Sequence, residues 1–191
     1  MLRAITAFLY RAAGWKIIGR YPTEIKKAVW VGAPHYTNWD FVVCLGGRAE
    51  LKINIGFLAK SQLFKWYSGW LFRAMGCYPV YRNKASNLVD NVAAMYAEHE
   101  SLHIAITPEG TRKDVDRIKT GFYHIALKAN VPLILIGFDY PRKAIVISEP
   151  MYLQNSYEAD MKAIYDFYLT IEGRHKTWLK NYEETGVILR N

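Results

Sequence analysis

"AVWVGAPHYTNWDF", Ala28 to Phe41, decides how the chain folds. Ala28-Val29-Trp30-Val31 is apolar without a break, too short for a helix and rich in strand formers, as expected of a strand buried on both faces. Gly32, Ala33 and Pro34 end it. Thr37-Asn38-Trp39-Asp40 then fits the Ser/Thr-x-x-acid pattern that opens helices, and apolar spacing carries a helix from about Trp39 to Leu51. Strand, short loop, helix is the repeating unit of a parallel sheet. His35 stands in the loop between them.

Working outward, the unit recurs. "INIGFL", "YPVY", "LHIAI", "VPLILIGF" and "KAIVIS" are predicted strands. Helices are predicted over "SQLFKWYSGWLFRAMG", from Ala85 to His99, over "GFYHIALKAN" and over "EADMKAIYDFYLTIEG". Asn130 closes the third in a left-handed cap, and Gly173 stops the fourth. The expectation is an α/β fold, a mostly parallel sheet flanked by helices on both faces, as one domain spanning 1–191. In such sheets ligand sites gather in loops at the carboxyl ends of strands. "APHYTNWD", "YRNK" and "TPEGTR" all follow predicted strands and are expected to converge on one edge.

The chain has 191 residues, six Trp, fourteen Tyr and a net charge of +8. That balance points to an anionic partner: a lipid surface, a phosphorylated substrate or nucleic acid. Nucleic acid is the weakest of these, because the basic residues are scattered and no recognition helix or stacking motif is visible. Cys44 and Cys77 lie in apolar surroundings, with no metal spacing and no disulfide framework. No apolar run reaches the roughly 18 residues of a membrane span, and the N-terminus lacks a signal-peptide core. A cytoplasmic protein touching a membrane is expected. Residues 1–20 carry Leu2, Ile5, Phe8, Leu9, Ala12 and Trp15 at helical spacing with Arg3, Arg11, Lys16 and Arg20. Two readings stay open, a helix packed on the domain and an amphipathic helix lying in the membrane interface.

The chemistry lies in the loops. On one helix, five steps of about 100° would set His35 and Asp40 roughly 140° apart. They meet only if His35 lies in the loop and Asp40 in the first turn. Asp40 then accepts a bond from one ring nitrogen, and the other is free to take a proton from a substrate hydroxyl. In "PEGTR", Gly110 lets backbone amides approach an anion, Thr111 offers a hydroxyl and Arg112 a forked guanidinium. Lys113, Arg117 and Lys119 add charge. Glu109 either flanks the turn or organises these cations. Arg82 is a further candidate anion ligand.

Together these residues resemble the glycerolipid acyltransferase family, which includes the 1-acylglycerol-3-phosphate (lysophosphatidic acid) acyltransferases. The family shows four blocks in order, here "HYTNWD", "GCYPVYR", "TPEGTRK" and "VPLILI". The resemblance covers roughly Val29 to Asp139. Departures are Pro34 for the Asn that often precedes the histidine, Tyr81 for the acid before Arg82, and Thr107 and Lys113 at the ends of block three. "PHYTNWDF" followed by "FLAKSQLF" is similar to a short bacterial branch.

The resemblance implies a glycerol-3-phosphate acyltransferase-like fold. It implies His35 as general base and Asp40 as its orienter. Arg82, Glu109, Gly110, Thr111 and Arg112 would bind the acceptor, with Lys60 a further phosphate ligand. It implies acyl transfer from acyl-CoA or acyl carrier protein to a lysophospholipid such as 1-acylglycerol-3-phosphate, in phospholipid biosynthesis, on the inner face of the cell membrane. No metal or cofactor is called for, since a thioester is already activated. Alternatives are a non-catalytic lipid-binding protein on the same fold and an acyltransferase with a non-glycerol acceptor.

Overall fold

The computed structural model describes residues 2–21, 23–80 and 85–189. Among them the helices are α1 (Leu2–Ala12), α2 (Trp39–Glu50), α3 (Gly69–Ala74), α4 (Ala85–Glu98), α5 (Gly121–Ala129), α6 (Tyr157–Leu169) and α7 (Thr177–Thr185). The strands are β1 (Lys16–Ile18), β2 (Lys27–Ala33), β3 (Ile55–Lys60), β4 (Cys77–Val80), β5 (Leu102–Ile106), β6 (Leu133–Asp139) and β7 (Ala144–Ile147). They form one sheet in the order β1-β7-β6-β2-β5-β3-β4. The fold is α/β, as the sequence implied.

β2 lies inside the sheet because, past Lys27 at its start, every residue from Ala28 to Ala33 is apolar and buried. It pairs in parallel with β5, Val29 opposite Ile104, and with β6, Val29 opposite Leu133. Its alternation feeds two cores. Val29, Val31 and Ala33 pack under α4, α5, α6 and α7, with Phe122, Tyr168 and Trp178. Ala28 and Trp30 face the other layer with Tyr10 of α1 and Val43 of α2. Burying Trp30 requires a partner for its N–H. The indole donates to His103 Nδ1 at 3.1 Å, and the other nitrogen of His103 meets the Tyr21 hydroxyl at 3.1 Å.

β7 joins β6 in antiparallel fashion, Gly137 opposite Val146. Asp139 fixes that corner. Its buried carboxylate accepts the Arg142 N–H at 2.9 Å, the Arg142 guanidinium at 2.8 Å and the Glu172 N–H at 2.9 Å.

Three expectations need correction. The N-terminal helix stops at Ala12, and Gly14 turns with φ +81°, a left-handed conformation that ends helices. Lys16–Ile18 then pair in parallel with β7, so residues 1–20 are not one helix. Ala7 and Tyr10 of α1 are buried, while Ile5, Phe8 and Leu9 are exposed. A Cβ on Gly46 of α2 would come within 2.6 Å of the Tyr10 ring, so only glycine admits this contact. Second, the long helix over Ser61–Gly76 is a 3-10 turn at Ser61–Leu63 and the six residues of α3. Aromatics are weak helix formers, and Ser68-Gly69 interrupts the run. Third, α7 adds a helix that the sequence reading does not include; Trp178, Leu179 and Tyr182 on one face anchor it.

Candidate active site

Five parallel strands, β4-β3-β5-β2-β6, bring their carboxyl ends to one edge. His35 follows β2, the "TPEGTR" loop follows β5 and Tyr140 follows β6. His35 lies in the loop, and Asp40 is the second residue of α2. His35 Nδ1 is 2.7 Å from Asp40 Oδ2. The same oxygen accepts the Tyr36 and Thr37 N–H groups at 2.8 and 2.9 Å. The Tyr140 hydroxyl donates to Oδ1. Asp40 therefore both braces the loop before α2 and orients the ring, while Thr37 Oγ1 accepts the Trp39 N–H at 3.0 Å.

Burial pushes the Asp40 carboxyl up, but bonds from His35, Tyr140 and the Thr37 and Tyr36 amides outweigh it and hold it below its usual value. An ionised carboxylate only accepts, so Nδ1 carries the ring proton and Nε2 presents a lone pair. Burial and the bond to Asp40 push the Tyr140 phenol up to about 12, so it stays a donor.

Glu109 is buried, and its carboxylate is turned into the protein. Oε2 accepts the His35 N–H at 2.9 Å and Lys176 Nζ at 2.6 Å, and Oε1 accepts the Trp178 indole N–H at 3.1 Å. Burial pushes the carboxyl up, against the pull of Lys176, the His35 amide and Trp178. Lys176 spends its other donors on the Thr111 and Lys113 carbonyls at 3.3 and 3.0 Å. One buried ion pair thus ties the loop of His35 to the cationic loop and to the start of α7.

Gly110 adopts φ +65°, and a Cβ there would stand 3.2 Å from Lys119 Nζ. Arg112 is exposed and donates to Asn38 Oδ1, which leans the cationic loop over the first turn of α2. The Thr111 hydroxyl accepts the Lys113 N–H at 3.2 Å. Lys60 ends β3 on the same edge with its side chain exposed, but it does not line the cavity. Arg82 lies outside the described residues.

His35 and Asp40 open onto a cavity of about 900 Å³. Its walls are largely apolar and draw on both layers: Phe41, Phe57 and Phe138 on one side, Leu58, Phe122 and Ile125 on the other. Asn38, Gly110 and Lys119 supply polar groups beside the histidine. An apolar hollow with a few convergent polar groups is the usual form of a small-molecule site.

Sequence reasoning missed Tyr140 and Lys176. Tyr140 had a usable signal, since it directly follows a parallel strand. Lys176 had none, because nothing local marks a lysine as buried.

A family model described as Acyltransferase matches residues 19–139. A 1-acyl-sn-glycerol-3-phosphate acyltransferase of Haemophilus influenzae is 30% identical over 135 residues, covering 66% of this chain and 55% of that protein. The chain thus spans about half the length of this relative. No solved structure matches it significantly. His35, Asp40 and the "PEGTR" loop all fall within the matched segment, and the chain belongs to the glycerolipid acyltransferase family.

Proposed function

We propose that this protein transfers a fatty acyl group from a thioester, on coenzyme A or acyl carrier protein, to a hydroxyl of a lysophospholipid such as 1-acylglycerol-3-phosphate, in phospholipid biosynthesis. The observation that carries the reading is the 2.7 Å contact of His35 Nδ1 with Asp40, which leaves Nε2 toward an apolar cavity. Nε2 takes the proton of the acceptor hydroxyl as its oxygen attacks the thioester carbonyl. The tetrahedral intermediate collapses, the carbon–sulfur bond breaks, and the departing thiolate takes the proton back from the imidazolium. Asp40 holds the ring and balances its charge without itself taking a proton. The cavity takes acyl chain, and Arg112, Lys119 and the Gly110 turn hold the anionic head group, with Lys60 further along the same edge and Arg82 assigned to the same role on the sequence resemblance alone. A thioester needs no metal or cofactor to be reactive.

The acceptor comes from an anionic membrane, on whose cytoplasmic face the protein would work. No helix among the described residues is long and apolar enough to cross one. Purified protein incubated with acyl-CoA or acyl carrier protein and a panel of lyso-acceptors should form a diacyl product visible by mass spectrometry. Thioester hydrolysis alone, with no acylated acceptor, would defeat the transfer reading.

A further inference from the structure

The segment from Leu63 to Arg73 has two sides. Leu63 and Phe72 line the cavity. Trp66 is 92% exposed, Trp70 67%, Tyr67 56% and Leu71 45%. Two tryptophans held in water beside the wall of an apolar cavity are costly to a soluble surface unless something covers them. Their polar atoms suit a boundary between oil and water, and the Trp70 indole is already bonded to the Tyr67 carbonyl at 3.1 Å. In the first turn of α2, Trp39 (68% exposed) and Val42 (50%) add exposed apolar surface; Val42, like Leu63, is both exposed and part of the lining.

Charge identifies the cover. Between Glu50 and Asp90 the sequence holds Lys52, Lys60, Lys65, Arg73, Arg82 and Lys84 and no acidic residue. Lys65 lies 5.8 Å over the Tyr67 ring and Arg73 5.6 Å over the Phe64 ring. Neither makes an ion pair with a carboxylate among the described residues. A second copy of the chain docking on this face would set like charges against each other. Nucleic acid would satisfy the cations but leave Leu63, Val42 and Leu71 without apolar partners. Exposed tryptophans flanked by cations around an apolar opening match the headgroup layer of an anionic bilayer.

We infer that the Leu63–Arg73 segment is the membrane-docking face. Trp66 and Trp70 enter the boundary between head groups and chains, Lys65 and Arg73 meet lipid phosphates, and the gap between Val42 and Leu63 opens toward the bilayer. Chain passage through that gap rests on the acyl-site reading; the docking does not. Sedimentation with phosphatidylglycerol/phosphatidylcholine vesicles tests it without any turnover. The Trp66→Ala/Trp70→Ala pair should bind these vesicles at least tenfold more weakly. Lys65→Gln/Arg73→Gln should lose the preference over pure phosphatidylcholine and flatten the salt dependence. Brominated lipids should quench wild-type tryptophan fluorescence, a measurement that needs no variant. Both pairs should keep wild-type turnover of a soluble short-chain acceptor, so loss of docking and failure of the acyltransferase reading are read separately. Unchanged vesicle binding in the tryptophan pair, absence of quenching, RNA binding without vesicle binding, or a wild-type dimer that the tryptophan pair dissociates would each overturn the proposal.

Discussion

Lys176 Nζ lies 2.6 Å from Glu109 Oε2, and neither side chain reaches solvent. Such a pair is costly to break from one side, because the survivor is a buried charge without a counter-charge. Lys176→Met should therefore lower stability by about 3–5 kcal/mol in urea unfolding. Adding Glu109→Gln should recover part of the loss. A single variant as stable as wild type would mean the pair is not formed.

His35→Ala removes the proposed base while leaving a small residue in a loop. Turnover should fall roughly 10²–10⁴-fold with the circular dichroism spectrum unchanged. Full acyl transfer by the folded variant would end the catalytic assignment.

Tyr140→Phe removes one of the donors that hold Asp40 ionised. A bond to a charged group is worth about 1.5–3 kcal/mol, so a drop in kcat of about tenfold or more is expected. The Asp40 carboxyl should move up, shifting the acid limb of the rate profile to higher pH. A lower kcat with an unmoved acid limb would give Tyr140 a different job.

The depressed Asp40 carboxyl also fixes the sign of an effect on stability. Its contribution is complete above the unfolded value of about 3.9 and is lost as pH falls through the lower folded value. Asp40→Asn should melt lower than wild type at neutral pH, and the gap should close on acidification through that window. A constant gap in Tm across the titration would refute the linkage.

Arg112 presents a fork that lysine cannot copy. Arg112→Lys should raise the KM for the anionic acceptor and leave the thioester's nearly unchanged. Steady-state kinetics with each substrate varied separately decides this. A defect confined to the thioester would move the donor's anionic group to this loop.

What the sequence made legible follows from where the information sits. β2 and β6 are buried on both faces, so their apolar runs alone marked them as parallel strands. His35 and Asp40 are five residues apart, and cap rules placed them correctly in loop and first turn. Tyr140 meets Asp40 across 100 positions and Lys176 meets Glu109 across 67, contacts that exist only after the sheet is assembled. The Ser61–Gly76 aromatics misled for another reason. Helical spacing of apolar residues says that one face is oily, and not whether protein or another medium covers it.

Glu109 reaches back 74 positions to the His35 amide and forward 67 to Lys176. On a ribosome these partners emerge far apart in time. The histidine loop is made early, then waits for the central carboxylate, which in turn stays without its cation until the chain has passed α6. A nascent chain lacking Lys176 holds every residue of the His35–Asp40 pair yet has an unneutralised acid beneath it. The brace beneath the His35 loop is therefore complete only once the chain through Lys176 has folded back onto the sheet.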